Sequence, residues 1–340
     1  MNSPRDDRKR DETGIPEECG GIVRFSFDGH KGVRHSHSMQ VSAQDESAED
    51  GVEEFLDDVR RVMSDSLAST ALGALLENSG NVIATGKMLR SRLAYRLSDA
   101  GLVSAEDMTH AAAAVEMVHA ASLLHDDVID GGMIRRGSPT FWLERGISGA
   151  ILLGDLLLFK ALDITCKQHA HKHWTNRLVE MTGQVCEAES EQELLLRGSQ
   201  PTWDRCVRIA RYKTGALFSF VSFAAAGGET ALEAALTEAG YAIGTAYQLA
   251  DDVLDATGSE QESGKTLGTD GARDKVTAIS AAEFGDVDPL EKIQEFCNLP
   301  TGLLAPWPAV SEAWNAYLEA DFNPSINGLL SSLAKAQASA

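Results

Sequence analysis

The chain has 340 residues, of which 43% are hydrophobic, and its formal net charge at pH 7 is −21. This length and apolar content are sufficient for a large buried core in one to three domains. So acidic a chain argues against nucleic acid or an anionic membrane as the main partner, because both would repel it.

Residues 1–50 are rich in Gly, Ser, His and charged residues and show little hydrophobic periodicity. We predict a disordered tail for residues 1–50 and one helical domain for residues 51–340. The tail lacks the apolar core of a secretory signal, and no apolar run of about 18 residues predicts an integral membrane segment. The five cysteines form no CxxC pair. We therefore expect a cytoplasmic protein with reduced thiols.

From Gly51 onward, apolar residues recur at the spacing of amphipathic helices, and strand-like alternation is scarce. The apolar-periodic stretches cover residues 52–63, 65–78, 86–98, 105–130, 149–168, 174–196, 203–226, 229–256 and 308–320. Three prolines between residues 296 and 310 are expected to interrupt the pattern. The simplest interpretation is a single large all-α domain, built as an antiparallel helix bundle.

The segment "LLHDDVIDGG" (123–132) places three aspartates, Asp126, Asp127 and Asp130, just before two glycines that predict a helix end. The helix dipole is negative at that end and disfavours carboxylates. A bound cation would turn this repulsion into attraction. Mg²⁺ takes oxygen ligands and often shares its site with substrate phosphates, so the motif is a candidate metal site.

The segment "YQLADDVLDATG" (247–258) repeats the same spacing with Asp251, Asp252 and Asp255. It also follows an apolar helix and meets a glycine. Two facing helix ends of this kind would form a cage for several Mg²⁺ ions and a polyphosphate. Two unrelated, solvated helix ends are the alternative interpretation.

Basic residues occur close to both acidic motifs, although the chain has few positive charges. They are Lys87, Arg90, Arg135, Arg136, Lys213, Lys265 and Lys275. Arginine offers a forked donor to phosphate and lysine a point charge. Each alone is typical of a solvated surface, but together they indicate a second, metal-free diphosphate site.

With these motifs in this order, the sequence resembles the all-trans polyprenyl diphosphate synthases, a family of isoprenyl diphosphate synthases. The resemblance extends over roughly residues 80–276 and is strongest in "VEMVHAASLLHDDVIDGGMIRRGSPT", "ILLGDLLL", "YKTGALF" and "YQLADDVLDATG". It implies an antiparallel helix bundle around a central cavity, a homodimer, and about three Mg²⁺ ions per active site. The implied reaction joins isopentenyl diphosphate head to tail to an allylic diphosphate.

Carried over position by position, the resemblance gives each candidate residue a role. The Mg²⁺ ions would be held by Asp126, Asp127, Asp130, Asp251, Asp252 and Asp255. The allylic diphosphate would contact Arg135, Lys213 and Lys265, and isopentenyl diphosphate would contact Lys87, Arg90, His119 and Arg136. Lys213, Thr214 and Gln248 would lie at the reacting carbons, and Lys275 would add a further substrate contact. A satisfied core histidine is the alternative for His119.

Product length is expected to depend on Ala121 and Ser122, which precede the first motif and are both small. In the family, bulky aromatic side chains at these positions stop chain growth early. We therefore expect a product longer than geranylgeranyl diphosphate. The alternative floor of the cavity is Phe218 on another helix or Met117 on the same helix.

The sequence departs from the family in two places. The family's "GGKRxRP" reads "TGKMLRS" here, and the C-terminal third matches poorly. Three other functions stay open at this point: a terpene cyclase on the same fold, a non-catalytic regulatory subunit of a heteromeric synthase, and an acidic helical binding protein without catalysis.

Overall fold

The structure is a computed structural model that describes residues 43–73, 86–199, 202–257 and 287–327. Its helices are α1 Ala43–Ala68, α2 Leu89–Ser98, α3 Ala105–Ile129, α4 Phe141–Cys166, α5 His173–Glu191, α6 Trp203–Ala210, α7 Ala216–Ala224, α8 Thr230–Thr257, α9 Pro289–Leu304 and α10 Pro308–Tyr317. A two-stranded antiparallel hairpin pairs β1 Ile134–Arg135 with β2 Ser138–Pro139. Shorter helical turns are His169–His171 (3₁₀) and Gln192–Leu196, Arg211–Gly215 and Leu318–Phe322 (π). The predicted all-α fold is confirmed.

Helix α3 lies at the centre of the bundle and packs against α1, α2, α4, α5 and α7. Its residues Ala111–Val118 are all buried, so that helices surround this stretch on every side. Four consecutive alanines at residues 111–114 let the neighbouring helices approach closely. Within the described ranges, no helix has the length and apolar character needed to span a bilayer.

Helix α1 begins inside the segment that the sequence predicts as a tail. It starts at Ala43, and Gly51, the predicted domain start, lies within it. A methyl group on Gly51 would lie closer to the Tyr95 hydroxyl than any van der Waals contact allows. In the part of the helix before Gly51, Glu49 binds Arg92 of α2 at 3.2 Å, and Glu53 binds the same arginine at 2.5 Å from the next turn. The predicted tail at residues 1–42 lies outside the described residues.

Helix α9 continues through Pro300, where the sequence predicts an interruption. A proline inside a helix removes one hydrogen bond and costs roughly 3 kcal/mol. Pro300 is buried, and α9 packs along α8, so tertiary packing offsets this cost. Pro308 instead occupies the first turn of α10, where proline has no such cost.

Helix α8 lies very close to α7 and to the segment before it at two glycines, Gly240 and Gly244. A methyl group on Gly244 would lie 2.6 Å from the Gly215 Cα, and one on Gly240 would lie 2.7 Å from the Phe218 carbonyl oxygen. Only glycine allows two backbones to lie so close. This contact holds the segment before α7 against the C-terminal half of α8.

A buried ion-pair network joins the end of the described chain to α2. Asp321 accepts hydrogen bonds from Arg96 Nε at 2.9 Å and Arg92 Nη1 at 3.1 Å. Its side chain is only 1% exposed. Helix α2 is therefore held both by α1 and by the turn after α10.

Candidate active site

The first acidic motif lies where α3 ends. The helix stops at Ile129, since Gly131 has a φ of 63°, a conformation that favours glycine. Asp126 and Asp127 lie in the last helical turn, and Asp130 follows immediately. The helix dipole therefore opposes these carboxylates, as the sequence predicts.

The hairpin after α3 brings Arg135 back onto Asp127. Its turn residues Arg136 and Gly137 have φ angles of 52° and 74°, and two positive values are typical of a type I′ turn. Arg135 Nε donates to both Asp127 oxygens at 2.9 and 3.0 Å, and Arg135 Nη2 donates to one of them at 2.7 Å. Burial alone would lower the pKa of Arg135, but its hydrogen bonds to Asp127 raise it.

Lys213 faces the same motif from the π-helical segment Arg211–Gly215. Its ammonium forms an ion pair with Glu189 of α5 and lies in the field of Asp126 and Asp130. Burial alone would lower the pKa of Lys213, but these three carboxylates raise it well above its ordinary value. Lys213 is therefore a permanent cation beside the first motif. Short π-helical segments often occur at functional sites.

The second acidic motif lies near the end of α8, and its charge acts on Arg135, as the charge of the first motif does. The Asp251 charge acts on Arg135 together with the first-motif carboxylates. It also partly offsets the burial that lowers the pKa of Lys87. Arg135 thus lies within reach of carboxylates from both helix ends. Three predicted site residues lie outside the described side chains: Asp255, Lys265 and Lys275.

A chain of hydrogen bonds connects Thr214 to the second motif. The Thr214 hydroxyl donates to Gln248 Oε1 at 2.5 Å, and Gln248 Nε2 donates to Asp252 Oδ1 at 2.8 Å. The glycine contact between Gly215 and Gly244 holds the two backbones close enough for this chain. The structure therefore brings together the residues predicted at the reacting carbons.

A second basic cluster contains Arg90, His119 and Arg136. Burial, and then the charges of the neighbouring arginines, lower the pKa of His119 well below its ordinary value. The imidazole is therefore neutral at neutral pH. Glu116, one turn before His119, accepts a hydrogen bond from Ser91 at 2.9 Å. Its charge partly offsets the burial that lowers the pKa of Arg90 and of Arg136.

The two arginines of this cluster, Arg90 and Arg136, are held by apolar or backbone contacts. The Arg90 guanidinium lies over the Phe218 ring, 4.9 Å from its centroid. Its Nε is buried and has no hydrogen-bond partner within the described part of the chain. A methyl group on Gly86 would lie 2.5 Å from Arg136 Nη2, so this guanidinium rests directly on Gly86.

The two predicted chain-length residues have different environments. Ala121 is fully buried, whereas Ser122 is partly exposed and its hydroxyl donates to the His119 carbonyl at 2.9 Å. Phe218, the alternative floor, is also buried. A hydrocarbon chain that passes Ala121 must therefore displace neighbouring side chains.

Sequence reasoning missed three residues that shape the site: Gly86, Glu116 and Glu189. Glu116 has a signal in the sequence, because it is the only charged residue in the apolar run before His119 and lies three positions from it. Gly86 directly precedes Lys87, but its contact with Arg136 cannot be read from spacing. Glu189 belongs to an acidic run that looks like a solvated helix face.

Comparisons with known proteins show which family the sequence matches. The sequence profile of the polyprenyl synthetase family matches residues 74–297. Octaprenyl diphosphate synthase of Haemophilus influenzae is 34% identical over 53% of this chain and 56% of its own length. Geranylgeranyl diphosphate synthase of Mycobacterium tuberculosis is 36% identical over 57% of each. The chain thus spans a little over half the length of these curated relatives.

A solved structure extends the similarity over most of the fold. The polyprenyl synthase of Caulobacter crescentus, complexed with calcium and isoprenyl diphosphate, aligns with a TM-score of 0.62 and 25% identity. The alignment covers 83% of this chain and 94% of that one. The shared architecture is the all-α isoprenoid synthase fold.

Proposed function

The chain belongs to the polyprenyl synthetase family, and we propose that it is a Mg²⁺-dependent trans-prenyltransferase. Its substrates would be isopentenyl diphosphate and an allylic diphosphate. The observation that carries the proposal is the position of Arg135, which binds Asp127 and lies in the field of Asp251. The charges of both acidic helix ends thus act on one arginine, which would bind the diphosphate.

The donor chemistry of the acidic motifs fits Mg²⁺. This ion usually binds one or two carboxylates and completes its shell with water and substrate phosphate. Asp126, Asp130 and Asp251 would hold the ions, about three by family resemblance. Asp127 instead uses both oxygens for Arg135. Bound Mg²⁺ would neutralise the diphosphate and make it a better leaving group.

The two basic clusters would bind the two diphosphates separately. Arg135 and Lys213 lie beside the metal-binding carboxylates and would hold the allylic diphosphate. Arg90, Arg136 and neutral His119 would hold isopentenyl diphosphate without metal, as donors of hydrogen bonds. Lys87 lies within reach of the Asp251 charge and would bridge the two regions.

The reaction requires no nucleophile on the protein. The allylic C–O bond breaks, and its electron pair leaves with pyrophosphate. The double bond of isopentenyl diphosphate then supplies the electrons for the new C–C bond, and pyrophosphate accepts the proton that is lost. The oxygens of Thr214 and Gln248 would stabilise the allylic cation in a site that excludes water.

We also propose a homodimer, with α4 at the interface. Five apolar side chains of α4 are each at least 41% exposed: Leu143, Ile147, Ile151, Leu152 and Phe159. After a kink at Gly146, Ile147, Ile151 and Phe159 follow a four- or eight-residue spacing along one side of the helix, and an exposed apolar strip favours a protein partner. Light scattering at micromolar concentration would test this, and a monomer would contradict it.

The function is tested with radiolabelled isopentenyl diphosphate and a series of allylic diphosphates, with and without Mg²⁺. We expect Mg²⁺-dependent transfer of label to a longer prenyl diphosphate. A cyclic hydrocarbon formed from the allylic substrate alone would indicate a cyclase, which usually carries an Asn/Ser/Glu-type second motif. Substrate binding without turnover would indicate a regulatory or binding protein.

Substitution of one aspartate in the first motif tests the metal assignment. Asp126→Ala should reduce turnover by at least roughly 100-fold, because diphosphate charge is left uncompensated at the leaving group. Its helix content by circular dichroism should stay unchanged. Gly302→Ala, an exposed helical position with open space around it, is the matched control. Near-normal turnover of Asp126→Ala would refute the metal assignment.

A further inference from the structure

We propose that Asp252 is a positioning residue, whose carboxylate fixes the orientation of the Gln248 amide so that an oxygen is presented beside Thr214. The inference rests on the proposed function, because the allylic cation is what this oxygen would stabilise. It replaces the sequence-based assignment of Asp252 as a metal ligand.

The orientation of the Gln248 amide follows from its two hydrogen bonds. Nε2 donates to Asp252 Oδ1 at 2.8 Å, and Oε1 accepts from the Thr214 hydroxyl at 2.5 Å. An ionised carboxylate only accepts hydrogen bonds. The flipped amide would place its oxygen against the Asp252 oxygen and lose that bond. Asp252 therefore selects one of the two amide orientations that a glutamine can adopt.

The neighbouring aspartates Asp251 and Asp252 face different groups. Successive residues of a helix point about 100° apart. Asp251 acts on the cations Arg135 and Lys87. Asp252 hydrogen-bonds Gln248 and acts on the buried thiol of Cys206, where burial first and then this charge raise the pKa to about 12. Asp252 is thus directed toward α6 and Gln248, and Asp251 toward the cations.

This orientation matters for the chemistry at the reacting carbons. The chain from Asp252 through Gln248 to Thr214 aligns its dipoles in one direction, and aligned hydrogen bonds polarise one another. Negative charge at Asp252 therefore increases electron density on the Gln248 and Thr214 oxygens. A flipped amide would present N–H donors, whose positive ends oppose an adjacent carbocation.

The first test compares Asp252→Asn with Asp251→Asn. The Asp252→Asn variant removes the charge and allows the Gln248 amide to flip, so kcat should fall roughly 10–100-fold. The KM for the allylic diphosphate and the Mg²⁺ concentration for half-maximal rate should not change. Mn²⁺ binding in the presence of inorganic pyrophosphate, followed by electron paramagnetic resonance, should be normal in Asp252→Asn and weakened in Asp251→Asn.

The second test is a second substitution that should restore kcat if Asp252 positions Gln248, but not if Asp252 is a metal ligand. Gln248→Glu is introduced into the Asp252→Asn protein, which moves the charge by one turn: the carboxylate at position 248 still accepts from the Thr214 hydroxyl, and the amide at position 252 now donates to it. We expect this double variant to recover much of the lost kcat. Thermal melting checks that each variant folds, and Asp252→Ser is measured in place of Asp252→Asn if the latter does not.

Two results would overturn the proposal: weakened Mn²⁺ binding in Asp252→Asn to the extent seen in Asp251→Asn, or a double variant no faster than Asp252→Asn. A wild-type protein that transfers no prenyl group to any allylic diphosphate would instead refute the proposed function. The Mn²⁺ measurement does not depend on turnover, so the two failures can be distinguished.

Discussion

Arg136 adopts a left-handed backbone conformation, with a φ of 52°, in the turn that follows the first acidic motif. Such a conformation costs of order 1 kcal/mol for a residue with a side chain, and it is typical of functional sites. The strained turn places the Arg136 guanidinium on Gly86. Gly86 therefore lacks a side chain because an arginine occupies that space.

Gly86→Ala tests this contact, because it adds a single methyl group. The methyl would lie 2.5 Å from Arg136 Nη2 and would push the guanidinium away. We expect the KM for isopentenyl diphosphate to rise roughly 10–100-fold, because a displacement of about 1 Å can cost that much. The KM for the allylic diphosphate should stay unchanged. Steady-state kinetics with each substrate varied in turn measures both, and equal changes in the two KM values would contradict the assignment.

Residue positions in the acidic motifs could be predicted from the sequence, but the partners of each aspartate could not. Spacing alone predicts Asp127 and Asp252 to be metal ligands, like the other aspartates of the two motifs. In the structure, Asp127 binds Arg135 and Asp252 binds Gln248. Which carboxylate faces a protein donor depends on the rotation of the helix in the bundle, and tertiary packing sets that rotation.

At the scale of helices, hydrophobic periodicity predicted which segments are helical, but it predicted the first and last residues of each helix less well. The apolar stretches at 105–130 and 229–256 correspond closely to α3 and α8. The start of α1 and the continuity of α9 through Pro300 were predicted wrongly. In both cases a tertiary contact outweighs a local signal: ion pairs to Arg92 at α1 and burial against α8 at α9.

The close packing of α8 against the segment before α7 decides whether Thr214 can reach Gln248. In Gly244→Ala, the new methyl would lie 2.6 Å from the Gly215 Cα and 2.9 Å from the Phe218 ring. Because the first contact is with backbone, the helices must separate. We expect a loss of roughly 1–3 kcal/mol in the free energy of unfolding, and a fall in kcat as the hydrogen-bond chain lengthens.

Denaturant unfolding and single-turnover kinetics measure these two effects of Gly244→Ala. Gly183→Ala, in α5, is the matched control, since a methyl group there meets no atom within 4 Å. This control should be as stable as the wild type or slightly more stable, because alanine favours a helix by roughly 1 kcal/mol over glycine. A normal kcat in Gly244→Ala would show that helix spacing does not limit the reaction.

At the scale of the whole molecule, Asp321 connects the last described turn to α2, the helix that carries Arg90. It is 1% exposed and binds both Arg92 and Arg96. Asp321→Asn would leave the buried Arg96 guanidinium without its carboxylate partner, whereas Arg92 keeps Glu49 and Glu53. We expect a loss of roughly 3–5 kcal/mol in unfolding free energy. Urea unfolding measures it, and Asp288→Asn, at the exposed start of α9, is a control for the same chemical change.

The resemblance is weakest in the C-terminal third of the chain, yet this ion pair joins that segment to the helix that carries Arg90, and we expect it to help position Arg90. A loss of less than about 1 kcal/mol in Asp321→Asn, as expected for a surface pair, would refute this role. A loss of stability with an unchanged KM for isopentenyl diphosphate would show that Asp321 stabilises the fold without positioning Arg90.

Product length depends on how far the growing chain can penetrate the bundle past α3. Its relatives include both geranylgeranyl and octaprenyl diphosphate synthases, so family membership leaves the length open. Ala114, two turns upstream of Ala121 on the same face of α3, is also small, and α3 carries no Phe, Tyr or Trp. We therefore expect a product longer than geranylgeranyl diphosphate.

Ala121→Phe should shorten that product, because its ring would fill the path one turn above the first motif. Ala121 is fully buried, so the larger side chain should also cost roughly 1–3 kcal/mol in stability. Chromatography of the dephosphorylated products measures chain length, and thermal melting measures the cost. The first condensation should survive, since the proposed position of the reacting carbons is at Thr214 and Gln248. A wild-type product no longer than geranylgeranyl diphosphate would instead indicate a floor on another helix, such as Phe218, and Phe218→Ala should then lengthen the product.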